Sequence, residues 1–418
     1  MADETMTTTL TTVAKPHRAI GMATAAIALA GVAIGLVLSA VALVLVVEPG
    51  PLVGGVVIGI ASLAGLVIAG WGGQRLAAPL SRLALQAEAL RDLDASLPAP
   101  APTGIAELDR LGNALRRMKQ ALGVFAVYVP RDLVRQLISR TSEAQLGGER
   151  RPITVMFSDV QGFTSTAEHL DPEELMRMTC TYFEAVTAEL LRNHATIDKY
   201  IGDSVMALWN APRRDLSHAR HACYGVLRAR HVTRRLAEEF SARGWPEFYT
   251  RFGLHTGEAV VGNVGSSDRM AYTAIGSVVN LASRLEGLNK FHHTQILVSE
   301  ATYRGAGQSF VFRPVGLVVP KGARDAIEVF ELLGLAAAHD SADAPLVADP
   351  AIMAGLPDWR EMLLCYRTRR FDAAEAALQR AARPDTDAVA ASFAERIARL
   401  RAEPPGAEWT PVISFAEK

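Results

Sequence analysis

Two long runs without a single charge limit this chain more than any other feature. Ile20 to Val47 is 28 residues with no Asp, Glu, Lys or Arg, and Leu52 to Trp71 is a second such run of 20. About 20 apolar residues in a helix cross the hydrocarbon of a bilayer, so each run is long enough to span it. A secretory signal has a shorter apolar core and no second span. Lys15 and Arg18 precede the first run, and Arg75 and Arg82 follow the second. That bias puts both ends on the cytoplasmic side of the cell (inner or plasma) membrane, with only Glu48-Pro49-Gly50-Pro51 turning outside. Gly31 with Gly35, and Gly55 with Gly59, make small-residue faces that pair helices or arise by chance in Gly-rich spans.

The remaining chain is cytoplasmic in character. Three widely separated cysteines, Cys180, Cys223 and Cys365, show neither a disulfide framework nor ligand spacing. The net charge of -1 gives no pull toward nucleic acid, and no nucleic-acid partner is expected. From Leu76, apolar residues recur at Leu80, Leu83, Ala87 and Leu90, a coiled-coil spacing. A Pro/Ala connector, 98–103, leads to a second seam at Ile105, Leu108, Leu111, Leu115, Met118 and Leu122. Helix, connector, helix after a span resembles a HAMP signal relay, with Pro79 and Glu107 matching; the alternative is a plain dimeric stalk.

The chemistry is concentrated between Arg150 and Asp203. Ile153 to Phe157 reads as a buried strand that ends on Asp159. Thr196 to Ile201 and Ser204 to Trp209 read as a hairpin with Gly202-Asp203 at its tip. A sheet that sets Asp159 beside Asp203 places two carboxylates in mutual repulsion, which calls for cations such as Mg²⁺. Gly162 permits the close backbone approach that a phosphate cradle needs.

Three stretches, Phe-Ser-Asp-Val-Gln-Gly-Phe-Thr (157–164), Lys-Tyr-Ile-Gly-Asp-Ser-Val-Met-Ala (199–207) and Val-Asn-Leu-Ala-Ser-Arg-Leu-Glu (279–286), resemble the signatures of class III nucleotide cyclases. The resemblance implies an α+β catalytic domain with a ferredoxin-like βαββαβ core. It also implies an adenylate cyclase that turns ATP into 3',5'-cyclic AMP and pyrophosphate. Two Mg²⁺ or Mn²⁺ ions per active site would sit on Asp159, Asp203 and the Val160 carbonyl. Amides of Gly162, Phe163 and Thr164 would hold phosphate oxygens, with Lys321 on the terminal phosphates and Arg251 either a further phosphate contact or an exposed strand residue. Asn280 would orient the ribose and Arg284 would stabilise charge at the α-phosphate. Lys199 and Thr273 would read adenine, where guanylate cyclases usually carry Glu at the first position. In the family the site is shared between subunits, which implies a homodimer. A guanylate cyclase and a non-catalytic nucleotide-binding module are the alternatives. Ser277, where an acid or Asn is common, and Pro320 before Lys321 depart from the family pattern.

The expected organisation is therefore a disordered N-terminus over 1–18, a membrane hairpin over 19–72, a HAMP-like relay over 73–123 and a joint over 124–149. A catalytic domain over 150–334, a linker over 335–355 and a tetratricopeptide-like helical pair over 356–418 complete it. Within the catalytic domain, Asp171-Pro172-Glu173-Glu174 opens a helix as a capping box. Arg228, Arg230, Arg234 and Arg235 read as a solvated helix face. Gly147 to Arg150 reads as a turn. Thr250–His255 and Ala259–Val264 read as separate strands. His255 reads as structural.

Overall fold

The computed structural model describes residues 22–47, 51–91, 102–128, 146–266, 269–319, 326–382, 385–406 and 408–414. The expectations for the N-terminal 18 residues, the outer turn at 48–50, most of the connector, the bulk of the joint and Lys321 fall outside them. The chain divides into two units at residue 142.

In the first unit, α1 (Met22–Val47) and α2 (Pro51–Arg91) each contain a 19-residue window long and apolar enough to cross a membrane, and only 6% and 11% of those windows are buried. A core helix of a soluble protein would bury most of such a window. The second span and the first seam form one continuous helix, with Pro79 inside it. α3 (Ala106–Tyr128) carries the second seam, and Thr103 fixes its start by donating its N–H and Oγ1 to Asp109 Oδ1 at 2.7 and 2.8 Å. Leu83 and Leu108 are buried, whereas Leu80, Leu111 and Met118 of the same seams are exposed.

The second unit is built on one sheet. Its strands are β1 (Gly147–Val160), β2 (Thr196–Ile201), β3 (Ser204–Trp209), β4 (Thr250–Gly265), β5 (Met270–Ile275), β6 (Ile296–Ser299), β7 (Phe310–Val319), β8 (Ile327–Leu335) and β9 (Val412–Ser414). The sheet order is β2-β3-β1-β4-β6-β8-β7-β9, with β5 on β4. The helices are α4 (Phe163–His169), α5 (Pro172–Arg192), α6 (His218–Ala242), α7 (Ser277–His292), α8 (Glu300–Ala306), α9 (Pro350–Arg367), α10 (Phe371–Ala381) and α11 (Ala388–Ala402). The run β1-α5-β2-β3-α6-β4, with antiparallel order β2-β3-β1-β4, is the expected ferredoxin-like core.

Period-two alternation along β1 serves both faces of the sheet. Met156 and Val160 join Met178, Tyr182 and Leu190 of α5 and Cys223, Val226 and Leu227 of α6. Ile153, Val155 and Phe157 face the other way, against Val278 and Ala282 of α7. The adjacent side of α7, through Leu281, Leu285 and Leu288, meets Trp359, Phe393 and Ile397 of the C-terminal helices. The helix bearing Asn280 and Arg284 is thus clamped from two sides.

Several local expectations change in this context. Gly147 to Arg150 extends β1 rather than turning, because Gly147 to Arg150 pair with Asn263 to Val260. β4 is one unbroken strand, since β1 pairs with it across the Gly257-Glu258 interruption. Asp171 caps α5 by accepting from the Glu173 and Glu174 N–H groups, but the Glu174 carboxylate accepts from Trp245 Nε1 at 2.5 Å instead of closing a capping box. The arginines of α6 are not simply solvated. Arg230 donates to the Leu333 carbonyl at 2.8 Å, and burial lowers its pKa to about 10. Arg228 donates to Asp343 Oδ1 at 2.9 Å, and Arg234 to Gln295 Oε1 at 3.0 Å. The 335–355 stretch holds a 3₁₀ turn, Ala344–Leu346, and the start of α9, where Asp349 caps and Pro350 takes the first helical position. Among the described residues the C-terminal region is three helices, interrupted at Thr368–Arg370, where Arg369 has φ 61°, and again between Ala381 and Ala388. It is docked by Trp359 Nε1 donating to the Pro314 carbonyl at 2.8 Å, and by Arg313, which bridges Glu331 and Asp387 beneath the Trp359 ring.

Candidate active site

The apolar run of β1 carries Asp159 to the strand end, and the β2–β3 hairpin folds its tip over that end. Gly202 makes the turn possible with φ 63°, a region that penalises a Cβ. The Val160 N–H then donates to Asp203 Oδ2 at 2.8 Å, which holds the second carboxylate against the first strand. Burial and the neighbouring Asp159 charge raise the Asp203 pKa, and the Val160 N–H opposes the shift. Ionising Asp203 so close to a second carboxylate is costly, and a cation would offset that cost.

In this structure a protein cation faces the first acid. Arg251 lies directly across β4 from Asp159 and donates to its Oδ2 at 2.6 Å. Its Nε is 3.4 Å from Oε1 of Glu286 on α7. Burial, reinforced by the Asp159 charge, pushes Glu286 up to about 7 despite Arg251. Among the described residues no group of three or more His, Cys, Asp or Glu is arranged to hold a metal ion. Asp159, Asp203 and the Val160 carbonyl are the groups that could hold an ion, oxygen donors of the kind that Mg²⁺ or Mn²⁺ takes together with water and phosphate.

Past Asp159 the chain turns at Gly162, φ 74°, which caps α4. A left-handed residue is needed there, and glycine adopts it without strain. Gly162, Phe163 and Thr164 form the N-terminal edge of α4, where backbone N–H groups lack intrahelical partners. Phe163 anchors that edge edge-on to Phe248, 5.8 Å between centroids.

Lys199 and Thr273, 74 residues apart in sequence, meet: Lys199 Nζ donates to Thr273 Oγ1 at 3.5 Å. Thr273 Oγ1 in turn donates to Asp198 Oδ2 at 2.5 Å, and Lys199 lies 3.2 Å from the same carboxylate. Asp198 is a residue that sequence reasoning passed over. Strand alternation would turn it away from Lys199, but a register shift between Ile197 and Lys199 puts both against Thr273. The Asp198 side chain is 1% exposed and that of Lys199 44%, so the acid is a buried brace and the ammonium reaches solvent. Glu286 was also missed, and its only sequence signal is its place two residues beyond Arg284.

Asn280 and Arg284 stand one turn apart on α7, Asn280 exposed and Arg284 partly buried, opposite the buried Leu281, Ala282 and Leu285. The structure thus joins Asp159, Asp203, Val160 and Arg251 in one group and Lys199 and Thr273 in a second. Asn280 and Arg284 share a helix with Glu286, which reaches the first group through Arg251.

The adenylate and guanylate cyclase catalytic domain model matches residues 148–334. The chain is similar to adenylate cyclase 1 of Rhizobium meliloti (strain 1021), 38% identical over 299 residues, covering 72% of this chain and 44% of that protein. It is similar to an adenylate cyclase of Anabaena cylindrica, 28% identical over 297 residues, covering 66% and 58% respectively. The chain thus spans about half the length of these curated relatives. Among solved structures it is similar to the adenylyl cyclase CyaB from P. aeruginosa, with 31% identity, 47% of this chain and 99% of that chain covered, and a TM-score of 0.43.

Proposed function

We propose, for a chain whose residues 148–334 belong to the adenylate and guanylate cyclase catalytic-domain family, that it is a membrane-anchored adenylate cyclase making 3',5'-cyclic AMP and pyrophosphate from ATP at sites shared by a homodimer. The observation that carries the choice of base is the Asp198–Thr273–Lys199 chain. The Thr273 proton is given to Asp198, so its oxygen is left as an acceptor, and Lys199 is a donor. Adenine presents a complementary edge, with an amino donor at N6 and an acceptor at N1. Guanine presents an acceptor at O6 and N–H at N1, which sets donor against donor.

Asp159, Asp203 and the Val160 carbonyl would hold two Mg²⁺ or Mn²⁺ ions. Bound there, the metals lower the pKa of the ribose 3'-hydroxyl and neutralise the triphosphate. Asn280 fixes the ribose so that its 3'-oxygen faces the α-phosphorus. Arg284 donates to the α-phosphate oxygens as charge builds on them, the kind of electrostatic support that usually contributes most to catalysis. The 3'-hydroxyl proton passes to water as the new 3'-O–P bond forms and the bond to the β-phosphate oxygen breaks, and pyrophosphate leaves with the excess charge. Gly162, Phe163 and Thr164 N–H groups, Arg251 and Lys321 hold the phosphates. Arg251 leaves Asp159 as the nucleotide and its ions arrive.

Both acids of one subunit work with Lys199, Thr273, Asn280 and Arg284 of the other, so two equivalent sites form per dimer. α1 and α2 anchor the dimer in the cell membrane with both ends cytoplasmic, and residues 73–123 act as a HAMP-like relay whose exposed Leu80, Leu111 and Met118 pack across the dimer axis. The test is product analysis of the purified full chain given ATP or GTP with Mg²⁺ or Mn²⁺. Cyclic AMP from ATP is the expected result. Cyclic GMP as the main product, or no cyclic nucleotide from either, would overturn the reading.

A further inference from the structure

A cleft of about 180 Å³ lies where the C-terminal helices meet β7, β9 and the last turn of α7. Leu317, Leu363 and Phe393 supply apolar walls, Phe291 closes one side, and Arg396 and Arg399 stand at the rim. The two arginines are one turn apart on α11 and repel each other; the Arg399 charge adds to burial in lowering the Arg396 pKa. Among the described residues neither has a carboxylate partner. Arg396 has a single hydrogen bond, to the Phe291 carbonyl at 3.3 Å, and lies over the Phe291 and Phe393 rings at 5.7 and 5.4 Å. A guanidinium has five donors, and a partly buried cation without a counter-charge is costly.

A second observation comes from behind the cleft wall. His292, 1% exposed, has no hydrogen-bond partner on either ring nitrogen. It lies directly against Gly316, where an added Cβ would meet its Cε1 at 3.2 Å, and Gly316 lines the cleft. A buried imidazole left without partners among the described residues is an orphaned donor and acceptor directly behind the Gly316 wall of this cleft.

We propose that this cleft is a binding site for a small amphipathic organic anion, an aryl or short alkyl carboxylate, with its apolar body on Leu317, Leu363 and Phe393 and its carboxylate on Arg396 and Arg399. An inorganic anion would satisfy the arginines but leave the apolar walls wet, and a neutral hydrocarbon would leave the cations unpaired. The site is apart from the catalytic groups: on α7, Phe291 is seven residues beyond Arg284, about 10 Å along a helix, and eleven beyond Asn280, about 16 Å. An occupant would press on the helix that carries Asn280 and Arg284. The binding argument does not rest on the cyclase reading.

The test is isothermal titration of 2-naphthoate into the full chain in lipid nanodiscs, with empty nanodiscs subtracted. Binding on the order of 100 µM is expected for a ligand of this size. Arg396→Gln and Arg399→Gln should each weaken it by about tenfold, the worth of one charge-assisted contact, and neutral 2-naphthamide should lose a similar factor. Arg399 is at the surface, so its variant keeps the test valid if Arg396→Gln misfolds. No binding at millimolar concentration, equal binding of acid and amide, or unchanged affinity in Arg399→Gln would overturn the proposal.

Discussion

Gly253 of β4 is the position at which a single methyl group should uncouple fold from catalysis. A Cβ there would lie 2.1 Å from the Glu286 nitrogen, 2.6 Å from the Ala282 carbonyl oxygen and 2.7 Å from the Glu286 Cα. All three are backbone atoms of α7, so no side chain can turn aside. Ordinary contact begins near 3.4 Å, and α7 must therefore retreat by about 1 Å from the sheet in Gly253→Ala. Overpacking of this kind costs roughly 1–3 kcal/mol, which a domain with three buried clusters should survive. Asn280 and Arg284 ride on the displaced helix, and a misplacement of about 1 Å typically lowers a rate by about 100-fold. The measurement is kcat/KM for ATP at saturating Mg²⁺, paired with a urea melt of the same preparation. A folded Gly253→Ala variant with kcat/KM within about threefold of wild type would refute the claim that the β4–α7 contact positions these residues.

Three further outcomes are expected. Lys199→Glu with Thr273→Cys should reduce the kcat/KM ratio for ATP over GTP by at least about 100-fold, since the donor of the base edge becomes an acceptor; an unchanged ratio in steady-state assays removes the pair from base recognition. Asp203→Ala and Arg284→Ala should each be inactive alone, whereas co-expression should restore roughly a quarter of wild-type activity, because half the dimers are mixed and each holds one intact site; no recovery in verified heterodimers excludes a shared site. His255, half-buried with Nδ1 2.7 Å from Ser299 Oγ, has its pKa lowered from 6.5 to about 4 by desolvation. Its contribution to stability is fully present above pH 6.5 and is lost as pH falls through 4, on the order of 3 kcal/mol at the limit. Urea titrations from pH 7 to 4 should show that loss, and His255→Asn should flatten it; identical pH slopes in the two proteins would rule it out.

Much of the scaffold can be read locally. Alternation in β1, the Gly202-Asp203 hairpin, the Asp171 cap and the two uncharged runs depend on neighbours within a few residues, where backbone sterics and periodicity decide. The acids at the ends of these elements are legible for the same reason. The joining of distant segments is not. The Gly257-Glu258 interruption looks like a strand end until β1 pairs across it. The α6 arginines look solvated until β8 and the Asp343 turn arrive over them. Asp198 appears to point away from Lys199 until a shifted register brings both to Thr273.

By itself, then, the sequence determined which side chains are candidates to bind ions, phosphate and base, and which short elements display them, because those depend on side-chain chemistry and local backbone preference. Only the tertiary structure decided that Arg251 faces Asp159, that Glu286 lies partly buried beside it, that Asp198 braces Lys199 and Thr273, and that the C-terminal helices clamp α7 and leave a basic cleft behind it. Those outcomes depend on strand register and on what is excluded from water when remote segments meet, and neither quantity is encoded in any single stretch of chain.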